Sequence, residues 1–168
     1  RIPEPLMKIL IDDLDKVDEN IFIKSEVNPQ NSKIKDNVRK SQHCWIPSTH
    51  WIGGFLWHYI RIANKHNFLY DISDIGNNMI QYTQYNKGDF YKWHTDMDIC
   101  DINEPDQLVR KLSFTLQLTN EDEYTGGNLE FADFDDSTYR FLVPKSRGTV
   151  IVFDSRTPHR VTPVESGI

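Results

Sequence analysis

The second half of the sequence consists of short strand patterns separated by turn residues. In residues 112–119 apolar and polar side chains alternate strictly, which predicts a strand with one buried face and one polar face. Residues 79–85 and the apolar run 149–153 predict two more strands, and Gly88 and Gly148 mark turns. Further short strand patterns cover residues 128–131, 140–143 and 159–164. Short strands at such intervals favour a β-sandwich or barrel.

The first third of the sequence predicts helices and a few mixed elements. Apolar residues at helical spacing follow Pro3 and predict a helix over residues 6–14. A second helix is predicted over residues 51–65, with Ser48 or Thr49 as its N-cap. Two glycines near its start weaken this pattern, because glycine is a poor helix former.

The chain of 168 residues is expected to form one domain. Residues 1–76 are its helical and mixed part, and residues 77–168 are its β core, so we expect an α+β fold that is mainly β. The sequence contains no run of about 18 apolar residues, so no transmembrane helix is predicted. Two cysteines cannot form a disulfide scaffold, so we expect a reduced, cytoplasmic protein without a membrane partner.

Acidic residues are concentrated in the middle of the chain. The formal net charge is −6, and residues 89–136 carry 13 acidic and 3 basic side chains. A nucleic-acid partner is therefore not expected, because phosphate binding needs a basic surface. The acidic segment 97–106 has two interpretations. It is either a lid that favours a neutral or cationic substrate, or a solvated loop.

The pair His94 and Asp96 is the sharpest local feature for chemistry. Residues i and i+2 of a strand point to the same face, so an imidazole and a carboxylate could bind one ion. His159, which follows the apolar strand, is the best candidate for a third ligand. Two histidines and one carboxylate form the facial triad of non-haem Fe(II) oxygenases, which leaves positions open for other ligands. A surface hydrogen bond is the alternative interpretation of the His-x-Asp pair.

The stretch from Tyr85 to Asp96 resembles a known signature. It is similar to the Tyr-x-x-Gly-x-x-Tyr-x-x-His-x-Asp motif of 2-oxoglutarate- and Fe(II)-dependent oxygenases, in the branch that includes prolyl 4-hydroxylases. The elements that follow come in that family's order, and the match covers roughly residues 77–168. These elements lie at residues 110–113, 124–131, 144–153 and 159–164.

The resemblance implies a fold, a metal and a reaction. The fold is a double-stranded β-helix, or jelly-roll barrel, with the N-terminal helices packed outside. Fe(II) is held by His94, Asp96 and His159, and no catalytic residue beyond these ligands is implied. The cosubstrates are 2-oxoglutarate and O₂, with ascorbate as an optional cofactor, and Tyr85 binds the distal carboxylate of 2-oxoglutarate. The reaction hydroxylates an unactivated C–H bond, first of all in a peptidyl proline or another amino-acid substrate.

The family also uses a basic residue to bind the distal carboxylate. It lies about ten residues after the second histidine, and counting from His159 reaches position 169. We therefore expect this anchor just after Ile168, in a chain that is cut short at its C-terminus. Arg147, Arg160 and Lys111 are the candidates to replace it within the chain.

Ser113 and Thr115, on the polar face of the strand 112–119, are candidate contacts of the cosubstrate. A solvent-facing strand is the alternative for these two residues. Two other function classes stay open. One is a non-catalytic metal-binding jelly roll, and the other is a cupin-like metalloenzyme that uses Zn(II) or Mn(II) without 2-oxoglutarate.

Overall fold

Two helices and a series of short strands build the protein, in the predicted order. The computed structural model describes residues 1–17, 21–25, 38–97, 109–133 and 140–168. The helical elements are α1 (Glu4–Leu14), α2 (Trp51–Ala63), a π-helical turn (Asn64–Phe68) and a 3₁₀ turn (Gly76–Asn78). The strands are β1 (Ile23–Lys24), β2 (Arg39–Lys40), β3 (Gln42–Pro47), β4 (Met79–Gln84), β5 (Phe90–His94), β6 (Leu112–Leu116), β7 (Thr125–Gly126), β8 (Leu129–Ala132), β9 (Arg140–Leu142), β10 (Val150–Asp154), β11 (His159–Val161) and β12 (Val164–Ser166).

The strands pair antiparallel in four sheets. The largest sheet has the order β2-β5-β11-β8-β9, and a second sheet has the order β1-β3-β4. Two-stranded sheets join β10 to β6 and β12 to β7. Strand β11 lies between β5 and β8, which are distant in the sequence, and such order is typical of a jelly roll. Within the described ranges, the strands form separate sheets and do not close into one ring.

The helices cover one side of the sheets through an apolar stripe. Met7 and Leu10 of α1 are buried, and they share one core cluster with Leu56 of α2 and Ile80 of β4. Their spacing on α1 matches the helical period that predicted the element. In the part of the chain that the structure describes, neither helix is long and apolar enough to cross a lipid bilayer.

Helix α2 begins at the predicted residue but has a different cap. His50, and neither Ser48 nor Thr49, is the N-cap, and its Nδ1 accepts a hydrogen bond of 3.4 Å from the amide of Ile52. A Cβ atom added to Gly53 would lie 2.1 Å from the carbonyl oxygen of Ser48. The glycine that weakens the helix pattern is therefore required by a close approach of two backbone segments.

Strand β6 is covered on both faces. Phe114 and Leu116 pack against the core cluster beneath the helices. Ser113 on the opposite face is only 8% exposed, and Thr115 is half-buried. Pairing with β10 sets Phe153 opposite Ser113. The polar face of β6 is therefore withdrawn from solvent at Ser113 and half-buried at Thr115, and the role of these two residues as cosubstrate contacts stays a prediction.

We predict opposite effects of alanine at the two neighbouring glycines of α2. Gly53→Ala should lower the free energy of unfolding by about 1–3 kcal/mol, because the new methyl group overlaps the Ser48 carbonyl. Gly54→Ala should raise it by about 0.5–1 kcal/mol, because a Cβ there meets no atom within 4 Å and alanine favours the helix. Urea unfolding followed by circular dichroism measures both. Equal effects of the two changes would contradict the close approach at Gly53.

Candidate metal centre

The two predicted histidine ligands lie opposite each other on neighbouring strands. His94 is the last residue of β5 and His159 is the first residue of β11, and the antiparallel register pairs them directly. Asp96 follows after the end of β5, and its amide donates a hydrogen bond of 2.9 Å to the carbonyl of Ser155. This turn contact, and not the alternation of a strand, positions the carboxylate. The i,i+2 argument is therefore wrong in detail, although the two side chains do converge.

The three side chains form a compact cluster of ligand atoms. One ligand atom each from His94, Asp96 and His159 lie within 4.8 Å of one another. Asp96 Oδ1 is 3.6 Å from Nε2 of each histidine, and the centroids of the two imidazole rings are 4.1 Å apart. The cluster combines two nitrogen donors with one carboxylate oxygen, which is the donor set of the facial triad.

Each imidazole is held in one orientation by a backbone carbonyl. His94 Nδ1 lies 2.8 Å from the oxygen of Lys92, and His159 Nδ1 lies 2.9 Å from the oxygen of Thr157. Because a carbonyl oxygen only accepts, each Nδ1 donates a proton and each Nε2 presents a lone pair. Two lone pairs and a carboxylate then face one another, an arrangement that a divalent cation stabilises. These residues fit the iron that the family resemblance implies.

The surroundings favour the protonation states that metal binding needs. Burial disfavours the ionised carboxylate, but interactions with the side chains of His94, Ser113 and His159 outweigh it and lower the pKa of Asp96 to about 2. Burial and the neighbouring imidazole of His94 lower the pKa of His159. At neutral pH Asp96 is therefore an anion and His159 is a neutral ligand.

Two buried serines support the carboxylate from behind. Ser113 hydrogen-bonds Asp96, and its Oγ lies 2.9 Å from the Oγ of Ser155, which is completely buried. The amide of Ser155 also donates to the carbonyl of Lys111, at 3.0 Å. The structure therefore brings Ser113, predicted as a cosubstrate contact, against a candidate metal ligand.

A β-bulge brings Tyr91 to the metal centre. Between the cross-strand pairs His159–His94 and Val161–Tyr91, β11 advances by two residues and β5 by three. The extra residue reverses the alternation of β5, so Tyr91 and His94 project from the same face. Their rings stack with centroids 3.4 Å apart and an angle of 15° between the planes. Alternation alone predicts opposite faces for these two residues.

Tyr85, the predicted cosubstrate contact, lies beside an arginine that sequence reasoning missed. The Tyr85 hydroxyl interacts with the side chains of Ser41 and Arg39, and burial raises the pKa of Tyr85. Arg39 Nε donates to Ser41 Oγ and Arg39 Nη2 donates to Gln81 Oε1, each at 2.9 Å. The guanidinium also lies 4.7 Å from the centroid of the Tyr91 ring. Arg39 lies in the two-residue strand β2, far upstream of the motif that begins at Tyr85. Nothing in the sequence pattern therefore indicates that Arg39 lies beside Tyr85.

A small cavity of about 30 Å³ lies along β6 and β10, and Thr115 in its lining is two residues along β6 from Ser113. Its polar lining comes from Thr115, Gln117, Tyr124, Lys145 and Thr149, and its apolar lining includes Leu129, Val143 and Ile151. Lys145 Nζ donates to the carbonyl of Gly126 at 2.8 Å and lies 4.0 Å from the centroid of the Tyr124 ring. The structure thus places Thr115, another predicted cosubstrate contact, in a cavity that contains an ammonium group.

The three basic residues named as alternative anchors within the chain make other contacts. Arg147 pairs with Glu4, Arg160 with Glu130, and Lys111 with the carbonyl of Asp71. None of the three lines the cavity, whose described lining has Lys145 as its basic residue. The anchor expected after Ile168 and positions 98–106 of the acidic segment lie outside the described residues, and both stay predictions.

Comparison with known proteins supports the family resemblance. A family model described as the 2OG-Fe(II) oxygenase superfamily matches residues 80–168, which is just over half of the chain. A PKHD-type hydroxylase of Synechococcus sp. (strain CC9605) is 39% identical over 80 residues, which cover 48% of this chain and 33% of that protein. A PKHD-type hydroxylase of Xylella fastidiosa (strain M12) is 28% identical over 150 residues, which cover 84% of this chain and 61% of that protein. The chain thus spans less than two thirds of the length of these relatives.

Two solved structures share the fold. A prolyl-4-hydroxylase of Pseudomonas putida superposes with a TM-score of 0.68 and 23% identity, over 98% of this chain and 82% of that one. A Trichoplax adhaerens prolyl hydroxylase, in complex with a peptide fragment of a hypoxia inducible factor, superposes with a TM-score of 0.67 and 17% identity, over 96% and 71%. The predicted jelly-roll fold is confirmed. The fold resembles that of the prolyl hydroxylase branch. Because the family model matches more than half of its length, the chain belongs to the 2OG-Fe(II) oxygenase superfamily.

Proposed function

We propose that the protein is a dioxygenase that uses Fe(II), 2-oxoglutarate and O₂ to hydroxylate an unactivated C–H bond. The observation that carries the proposal is the cluster of His94, Asp96 and His159, with both Nε2 lone pairs turned toward the carboxylate. His94 and His159 donate their Nδ1 protons to carbonyl groups, so Nε2 of each ring is the nitrogen that would bind the metal. Asp96, ionised and fixed by Ser113, supplies the negative charge.

Iron bound at these ligands would supply the O₂ activation and one-electron chemistry that amino-acid side chains lack. The protein's own part is to orient and to shield. Phe131 and Phe153 pack against the His159 ring at centroid distances of 5.7 and 4.9 Å. These rings exclude water from one side of the centre, and an apolar wall of this kind protects a reactive site from side reactions.

We assign the cavity along β6 and β10 to 2-oxoglutarate. Lys145 gives it a positive charge, and the hydroxyl groups of Thr115 and Tyr124 add hydrogen-bonding groups. A carboxylate that is withdrawn from water needs such a partner. We therefore expect the keto-acid end of the cosubstrate toward the metal ligands and its distal carboxylate toward Lys145. Tyr85 and the residue expected after Ile168 stay predicted contacts, and ascorbate stays a predicted accessory.

A peptidyl proline or another amino-acid side chain is the proposed substrate. The names of the hydroxylase relatives and the peptide bound to the Trichoplax protein support this choice. The 13 acidic side chains in residues 89–136 disfavour a nucleic-acid substrate, because binding of phosphates needs a basic surface. The cytoplasmic location stays a prediction.

Replacement of the candidate carboxylate ligand tests the metal assignment. Asp96→Asn should abolish the weak visible absorption band of the anaerobic Fe(II)–2-oxoglutarate complex. It should also lower succinate production by more than about 100-fold. Removal of a residue that merely hydrogen-bonds a metal ligand already lowers metal affinity or activity ~10–100-fold. Asp12→Asn, on the exposed surface of α1, is the matched control and should change neither. Metal binding by the unaltered protein without succinate production would contradict the oxygenase and favour a metal-binding jelly roll or a cupin-like enzyme.

Replacement of Lys145 tests the cosubstrate cavity. Lys145→Met should weaken binding of 2-oxoglutarate about 10–100-fold, because a charge-assisted hydrogen bond of about 1.5–3 kcal/mol is lost. Binding of 2-oxopentanoate, which has the same chain length without the distal carboxylate, should not change. Calorimetry on the Mn(II)-loaded protein measures both affinities.

Lys111→Met is the matched control, since Lys111 is exposed and bonds the carbonyl of Asp71. It should leave both affinities as they are. An equal loss of affinity for the two oxo acids in Lys145→Met would show a general disturbance of the site. That result would contradict the role of Lys145 in reading the distal carboxylate.

A further inference from the structure

We infer that Arg39 is a positioning residue of the metal centre, which holds the Tyr91 ring against the imidazole of His94. The inference rests on the proposed function only in taking His94 as a metal ligand. It concerns the side of the centre that β5 forms. The argument follows one chain of contacts, from β4 through Arg39 and Tyr91 to His94.

Arg39 is itself fixed at two points. Its Nε donates to Ser41 Oγ at 2.9 Å and its Nη2 donates to Gln81 Oε1 at 2.9 Å. Gln81 belongs to β4, in a different sheet from Arg39, and its Oε1 also accepts a hydrogen bond of 3.2 Å from Thr83. The planar guanidinium therefore has a defined orientation, because a fork of donors is harder to rotate than a single one.

The guanidinium faces the ring of Tyr91. Arg39 and Tyr91 are cross-strand partners of β2 and β5, and the guanidinium carbon lies 4.7 Å from the ring centroid. This distance is within the range of a cation–π contact. The Tyr91 hydroxyl also interacts with the Arg39 side chain. Arg39 thereby packs against one face of the ring.

The ring of Tyr91 lies in turn on His94. The two rings are nearly parallel, with centroids 3.4 Å apart, and the His159 ring follows at 4.1 Å. The imidazole of His94 is thus enclosed between two rings. Its Nδ1 bond to the carbonyl of Lys92 fixes one edge, and the stack prevents rotation of the ring plane about that bond.

The two histidines differ in what surrounds them. His159 is 7% exposed at its side chain and packs against the core rings of Phe131 and Phe153. His94 is the last residue of its strand and is 13% exposed. Tyr91, held by Arg39, supplies to His94 the packing that the core supplies to His159. Removal of Arg39 should therefore loosen one ligand and leave the other in place.

Co(II) titration of the folded protein, followed by visible absorption, tests the inference without catalysis. Arg39→Met and Tyr91→Leu should each weaken Co(II) binding about 10-fold. Substitutions of residues that orient a metal ligand typically lower metal affinity ~10–100-fold. Tyr91→Phe keeps the ring and should stay within about 3-fold of the unaltered protein. Arg61→Met, on the exposed surface of α2, is the control for loss of a positive charge.

The double variant Arg39→Met/Tyr91→Leu distinguishes a chain of contacts from two separate effects. If Arg39 acts through Tyr91, the double variant should bind Co(II) no more weakly than Tyr91→Leu alone. In the metal-free protein, NMR should show that the ring-current shift of the His94 ring protons is reduced in Arg39→Met and lost in Tyr91→Leu. Thermal unfolding confirms that each variant is folded.

Three results would overturn the inference. These are unchanged Co(II) affinity in folded Arg39→Met, fully additive losses in the double variant, and a loss in Tyr91→Phe as large as in Tyr91→Leu. A different result would contradict the proposed function. If the unaltered protein binds Co(II) as expected but makes no succinate from 2-oxoglutarate, the oxygenase proposal is wrong while the role of Arg39 stands.

Discussion

The register between β5 and β11 is the constraint on which the candidate metal centre depends. It sets His94 directly opposite His159, although the two residues lie in distant parts of the sequence. The same pairing places the turn before His159 where the carbonyl of Ser155 accepts a hydrogen bond from the amide of Asp96. One antiparallel pair thus determines where all three ligands lie, and a slip by one residue would turn the two imidazoles to opposite faces.

The residue types and the order of the motifs in the sequence made part of this arrangement predictable. His94, Asp96 and His159 could be identified because the residue types of a facial triad sit within a recognisable series of motifs. The alternation of residues 112–119 likewise predicted a strand whose two faces differ in polarity. These features depend on local periodicity and on residue type, and both can be read from a single sequence.

The remaining features depend on irregular geometry or on contacts between distant segments. The bulge that turns Tyr91 toward the centre adds one residue to a strand, and no turn residue marks it. Arg39 reaches the site from a two-residue strand, so neither periodicity nor spacing connects it to Tyr85 or Tyr91. Lys145 lies in an irregular segment before β10, where the sequence shows a turn but not the direction of the side chain.

Strand β6 links the stability of the fold to the chemistry of the site. Phe114 and Leu116 on one face pack beneath the helices, so the position of the strand is set by the core. On the other face Ser113 meets the carboxylate of Asp96, and Thr115 reaches the cavity. Because successive residues of a strand are joined rigidly, a displacement of Phe114 or Leu116 also displaces Ser113, which contacts Asp96. Core substitutions beneath the helices are therefore expected to reach the metal centre through this strand, even where the protein stays folded.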